Sequence, residues 1–370
     1  MTIIFPNHYD QVGSLLRPSK LQKARLDFSK SRIDRDTLTE IENEEIKNVV
    51  SKQVELGFKD VTDGEFRRSW WHLDFYAGFL GTKYFIPEKG WNFAGIQTRP
   101  GGIKIIDHLR YNPDHPFFDA FNYLQKIVPE GITAKQTIPS PTVFFPNKDA
   151  HILNEAYDNL DNFYQDLILI YQQTIQHFYD LGCRYLQLDD TTWGMWASFA
   201  HDSNSLKLSP ELAKQAEIAV RIINQIIDQK PSDMTMTMHV CRGNYQSVWA
   251  GSGDYAPVAK YLAKLHLDGF FLEYDDKRSG DFSPLAQISN NGRNQRIILG
   301  LITSKKPKLE HENDLIKRIK QASDFFPIDH LGLSTQCGFA STEEGNKLTI
   351  EDQWKKLALV RKTANLVWPS

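Results

Sequence analysis
Three short stretches share one signature: Glu-Leu-Gly-Phe at 55–58, Asp-Leu-Gly-Cys at 180–183 and Leu-Asp-Gly-Phe at 267–270. Each closes a helix-like segment and opens an apolar, strand-like run. Glycine suits the position just past a helix because it adopts positive φ without steric cost. A recurring αβ turn of this kind marks a repeating β/α protein. The helix before the first turn carries Thr39-Glu40-Ile41-Glu42, a capping-box pattern near its start. The helix before the second is expected over 155–181, where apolar residues at 160, 163, 167, 170, 171, 175 and 178 form one stripe.

Eight candidate strands lie near 9–14, 58–64, 131–138, 184–189, 234–241, 269–274, 296–302 and 330–336. Their alternation with helices predicts a (β/α)8 TIM barrel, one catalytic domain spanning 1–370. A doubly wound open sheet is the competing α/β arrangement. No Gly-x-Gly-x-x-Gly follows the first strand, which weighs against it. Residues 91–112 break the repeat and read as a hairpin around Arg99-Pro100-Gly101-Gly102, an excursion over the barrel mouth.

The charge balance, 43 Lys plus Arg against 46 Asp plus Glu, predicts neither a nucleic-acid partner nor a membrane surface. The first ten residues lack the basic stretch and apolar core of a signal peptide. No apolar run approaches the roughly 18 residues of a membrane span. Three cysteines cannot make a disulfide framework, so a reducing cytoplasm is expected, with thiolates available for chemistry.

Those thiolates stand in an informative place. The run Met-Thr-Met-Thr-Met-His-Val-Cys at 234–241 reads as a buried strand, and residues i and i+2 of a strand share a face. His239 and Cys241 therefore project together from a strand end, as half of a Zn²⁺ site requires. Glu273 and Cys337, of ligand type, end two later strand-like runs. A lone buried cysteine is usually a small hydrophobe, and Cys183, at the entry end of its strand, reads that way.

In a β/α barrel the C-terminal strand ends converge on the active site. Besides the four residues above, those ends carry Gly13-Ser14, Asp63-Gly64-Glu65 and Asp189-Asp190. Glu65 and Asp189 either pair with a base such as Arg67 or Arg68, or hold a substrate ammonium group. Trp70, Trp71, Phe75, Tyr76, Trp91, Trp193 and Trp196 lie near barrel-top loops. Most are expected to pack, with one or two free to stack on a flat substrate ring.

Five motifs occur in order: Val12-Gly13-Ser14-Leu15-Leu16-Arg17-Pro18, Thr62-Asp63-Gly64-Glu65-Phe66-Arg67-Arg68, Gln187-Leu188-Asp189-Asp190, Met238-His239-Val240-Cys241 and Gln336-Cys337-Gly338. Over about residues 8–345 the chain resembles the catalytic domain of cobalamin-independent methionine synthase, and most of all the short single-barrel members of that family. The resemblance implies a zinc-dependent methyltransferase acting on small molecules. Zn²⁺ would be held by His239, Cys241, Glu273 and Cys337. The amino group of homocysteine would meet Glu65 and Asp189, and its carboxylate the Gly13-Ser14 turn. The methyl donor would be a methylated folate. A Zn²⁺-bound thiol is deprotonated and can attack a methyl group in line.

The chain also departs from the family. Long members carry a second, N-terminal barrel that helps bind polyglutamyl folate, for which 370 residues leave no room. The family's Asp-Glu-Pro-Ala is Asp189-Asp190-Thr191-Thr192 here. The histidine proposed to protonate the leaving nitrogen is absent from 300–306, where Lys305 is the candidate and a solvated loop lysine the alternative. Lys104 and Lys135 are candidates to meet a glutamate tail. Two other classes stay open: a zinc thiol alkyltransferase using another donor or thiol, such as a methylated corrinoid protein or coenzyme M, and a non-catalytic zinc protein.

Overall fold
The computed structural model describes residues 6–145, 156–289 and 292–369. The strands in chain order are β1 (Asp60–Val61), β2 (Leu80–Phe85), β3 (Asn92–Phe93), β4 (Ile96–Gln97), β5 (Gly102–Arg110), β6 (Thr133–Pro139), β7 (Tyr185–Asp190), β8 (Thr235–Val240), β9 (Gly269–Glu273), β10 (Arg296–Ile302) and β11 (Leu331–Thr335). Seven of them form one parallel sheet in the order β1-β6-β7-β8-β9-β10-β11, with helices between successive strands, as in a TIM barrel.

The expected first strand, near 9–14, is reduced to a parallel bridge from Tyr9 to Leu333 on β11. Side chains explain why its ladder stops. Lys135 Nζ, Gln187 Nε2 and Thr62 Oγ1 donate to the carbonyls of Gln11, Val12 and Gly13 at 2.7, 2.6 and 2.6 Å. Those carbonyls are satisfied without a neighbouring strand. On its other side the segment joins β1 through side chains, as in the bond from Asn7 Nδ2 to Asp60 Oδ2.

Two faces alternate along each strand, as the period of two demands. Outward residues such as Leu186, Leu188, Met236, Met238, Leu272 and Leu299 join the large core beneath the helices. The barrel interior holds a small apolar group, Val12, Phe271 and Ile298, and a buried ion pair. There Lys135 Nζ lies 2.9 Å from Asp10 Oδ2, over the rings of Tyr185 and Phe271. Lys135 is therefore not free to meet a glutamate tail, contrary to the sequence expectation. Its position inside β6 points it into the barrel.

Local expectations fared unevenly. The helix Leu160–Asp180 buries Phe163, Leu167, Ile170, Tyr171, Ile175 and Phe178, as its stripe predicts. Leu160 is exposed at its first turn, and position 155 lies outside the described residues. Gly57 and Gly182 adopt φ of 85° and 98° past their helices. Gly269 instead begins β9, where a Cβ would sit 2.6 Å from the Arg296 carbonyl oxygen, so close strand approach selects glycine. The capping box at Thr39 is not formed. The helix starts earlier, at Arg35, with Asp34 accepting the Thr37 amide, and the Thr39 hydroxyl bonds back to the Arg35 carbonyl.

The excursion is a longer ribbon than expected. Its arms are β2 and β5, antiparallel, and its tip is the β3–β4 pair, turning at Ala94-Gly95 where Gly95 has φ 84°. Arg99 is anchored, not turning: its guanidinium pairs with Glu343 at 2.6 Å and Glu344 at 3.1 Å and lies over Trp70. Phe93 reaches the loop after β8, its ring 5.6 Å from that of Tyr245. The ribbon thus crosses the end of the barrel where β8 finishes.

Candidate metal centre and thiol site
Strand register delivers the four ligand-type residues. Asp189 of β7 stands beside His239 of β8, and Gly300 of β10 beside Glu273 of β9. Cys241 lies one residue past β8, its amide held by the Asp190 carbonyl at 2.7 Å, and Cys337 two past β11. The ligand atoms of His239, Cys241, Glu273 and Cys337 all lie within 4.8 Å of one another, and all four residues are buried. The two sulfurs are 3.8 Å apart, as are His239 Nε2 and Glu273 Oε1.

Their electrostatics are those of a cation's seat. Burial pulls the His239 imidazole down, but Asp189, Cys337 and Glu273 outweigh it and hold its pKa at about 9. The hydrogen bond between the sulfurs keeps the proton on Cys241 and favours thiolate at Cys337. Burial pushes the Glu273 carboxyl up. Acidic donors crowded out of water retain protons where a metal ion would replace them. Two sulfurs, an imidazole and a carboxylate make a donor set suited to a tetrahedral, borderline-soft divalent ion.

Outer contacts fix the ligands. Asp189 Oδ1 lies 3.4 Å from His239 Nδ1 and accepts Gln187 Nε2 at 2.7 Å. A carboxylate behind a metal-facing imidazole sets the ring's tautomer and orientation. Glu273 Oε1 accepts the Arg242 amide at 3.0 Å, and the Glu273 amide donates to the Tyr255 hydroxyl at 2.8 Å.

The second carboxylate, Glu65, comes from a strained turn. Gly64 and Glu65 are consecutive left-handed residues, with φ 67° and 61°, costly for a glutamate and typical of functional sites. Asp63 Oδ1 and Thr62 Oγ1 stabilise the turn by accepting the amides of Glu65 and Gly64. Glu65 Oε1 accepts Thr137 Oγ1 at 2.8 Å, and Oε2 lies 3.3 Å from Arg68. Burial, opposed by Arg68 and reinforced by Asp189, raises its pKa to about 7. The base-pairing reading of Glu65 is met by Arg68, and the charge of Asp189 acts on the same carboxyl.

Gly13 and Ser14 close the same space. A Cβ on Gly13 would sit 3.0 Å from Glu65 Oε1, and one on Gly338 only 2.0 Å from Ser14 Oγ. Lys305 is not a solvated loop lysine: its Nζ forms a buried 2.6 Å ion pair with Asp275 Oδ2. Cys183 packs as a small hydrophobe, its thiol pushed up to about 12 by burial. Of the aromatic residues, Trp70, Phe75, Tyr76, Trp193 and Trp196 are buried packing, whereas Trp91 on the ribbon is 54% exposed. Sequence reasoning gave no part to Thr137, Arg242 and Asp275, and named Gln187 only within a motif. The period of two would have found Gln187, one inward step before Asp189.

Comparison with known proteins agrees with this geometry. The sequence profile described as "Cobalamin-independent synthase, Catalytic domain" matches residues 10–358. The chain belongs to that family. It is 44% identical to the uncharacterized protein YxjG of Bacillus subtilis (strain 168), over 98% of this chain and 95% of that one. It is 22% identical to the methionine synthase of Pyrococcus horikoshii, over 95% and 92%. A solved structure from Listeria monocytogenes, described as a candidate vitamin-B12-independent methionine synthase, superposes with TM-score 0.75 and 38% identity over 99% of both chains.

Proposed function
We propose that the protein is a zinc-dependent methyltransferase that moves a methyl group from a folate-type donor to the thiol of homocysteine, forming methionine. The observation that carries the reading is the buried cluster of His239, Cys241, Glu273 and Cys337 beside the carboxylates of Asp189 and Glu65. Zinc on these four ligands would keep a bound substrate thiol deprotonated at neutral pH.

The chain's own residues do the rest. Glu65 and Asp189 hold the substrate ammonium, which adds a second positive charge beside the Glu65 carboxyl, whose pKa burial holds at about 7. The Gly13-Ser14 turn receives the substrate carboxylate. Asp189 serves twice, orienting His239 through Nδ1 while facing the ammonium. Lys305 Nζ, held by Asp275, is the candidate proton source for the leaving nitrogen.

The test is methionine formation by purified, zinc-loaded protein given homocysteine. The donors are 5-methyltetrahydrofolate with one and with three glutamates, and methylcobalamin. Turnover with the folates supports the reading. Turnover with methylcobalamin alone overturns the donor, and no methylation of homocysteine by any donor overturns the function.

A further inference from the structure
Beyond the residues already given roles, the centre poses a charge problem. Two thiolates and a carboxylate outweigh a divalent ion by one negative charge, and an incoming substrate thiolate makes the excess two. All four ligand residues are buried, so water does not screen that excess. A nearby positive charge has to offset it.

The neighbouring cations are not equivalent. Lys305 is taken up by Asp275 at 2.6 Å, and Arg278 by Asp276 at 2.8 Å. Arg242 is different. Its relative exposure is 0%, and no carboxylate lies within ion-pair distance of it among the described residues. Its Nη1 donates to the Gly253 carbonyl, and its other neighbour is the Tyr255 side chain. The guanidinium lies 4.3 Å over the ring of Tyr255, whose hydroxyl accepts the Glu273 amide, and the Glu273 charge acts on it directly. A buried guanidinium without a carboxylate partner is costly on its own, and a nearby excess of negative charge would offset that cost.

We propose that Arg242 is the fixed counter-charge of the metal centre, a positioning residue that lets the centre accept an anionic sulfur as a further ligand. The proposal rests on the thiol-activating reading above. It also specifies the substrate class, since a thiolate gains from Arg242 and a neutral thioether does not.

The test uses Co²⁺-loaded protein, in which sulfur ligation is read from the sulfur-to-cobalt charge-transfer band. R242M should still bind one metal ion but take up homocysteine about 10–100-fold more weakly, the range for losing an outer partner of a metal site. R242K, which restores a positive charge, should recover most of the loss. Methionine, whose sulfur is neutral, should bind wild type and R242M alike. Should R242M not fold, R242Q removes the charge while keeping a donor for the Gly253 carbonyl and carries the same comparison. Unchanged homocysteine affinity in the neutral variant overturns the proposal. So does equal weakening of homocysteine and methionine, or an R242K as weak as R242M, since each marks a role in shape alone. If wild type itself adds no sulfur ligand from homocysteine, the proposed function fails first and this inference with it.

Discussion

Asp189→Asn separates two duties that sequence alone merges into one. Asp189 reads from its strand end as a holder of substrate ammonium, which would leave the metal untouched. In the structure its Oδ1 stands 3.4 Å from His239 Nδ1, inside a buried cluster. Asparagine keeps the shape, removes the charge, and presents either an amide oxygen or a competing N–H to the imidazole. Losing a hydrogen bond to a charged group costs about 1.5–3 kcal/mol. At about 1.4 kcal/mol per tenfold, that is about 10–100-fold in metal affinity. The assay is zinc competition against a chromogenic chelator, with Glu65→Gln as control. Glu65 contacts Thr137 and Arg68 and, among the described residues, bonds to none of the four ligand residues, so its variant should stay within about threefold of wild type, the scatter of independent sites. Both variants should weaken homocysteine binding. Wild-type zinc affinity in Asp189→Asn, or an equal loss in Glu65→Gln, would show that the carboxylate behind His239 does not orient it.

The pH dependence of stability offers a second check. Glu65 has its folded pKa raised from 4.5 to about 7, so its favourable contribution is complete below about 4.5 and is lost as pH rises through 7. Glu65→Gln should match wild type near pH 4.5 and exceed it near pH 8, by at most about 3 kcal/mol, in metal-free denaturant titrations. Cys241→Ser and Cys337→Ser should each lose zinc, while Cys183→Ala should keep it and cost about 1 kcal/mol of stability; elemental analysis showing full zinc in both serine variants refutes the ligand assignment. Lys305→Met leaves the buried Asp275 carboxylate with only the longer 3.7 Å pairing to Arg278 and should destabilise by about 3 kcal/mol, with much of that recovered by adding Asp275→Leu; a single variant as stable as wild type in chemical denaturation removes the ion pair from the account.

Much of the site was legible because a strand's period of two is rigid. His239 and Cys241 could be placed on one face from spacing alone, and the strand ends carrying Glu273 and Cys337 were found by apolar runs. The barrel was legible for the same reason, together with the glycines at 57 and 182. What failed did so where side chains override backbone pattern. The carbonyls of residues 11–13 bond to Lys135, Gln187 and Thr62 from other elements, so no local signal could show that the first strand shrinks to a bridge. Lys135 read as free to meet a glutamate tail because its partner, Asp10, lies 125 residues away. Arg242 gave no signal because its role depends on charge summed over four residues from three strands.

The ion pair of Lys135 and Asp10, capped by Tyr185 and Phe271, stoppers the inside of the barrel below the metal centre. On the proposed reading, with that end closed, two molecules would reach the centre from the strand-end side. The amino-acid thiol would bind at the floor, against ligands from the strand ends, and the methyl donor would then sit above it. On that reading a donor that entered first would bar the thiol's path. Steady-state kinetics should therefore be compulsory-ordered, with the amino acid leading and the demethylated donor leaving before methionine. Product-inhibition patterns would reveal a random order just as readily, and that result would mean a second way in.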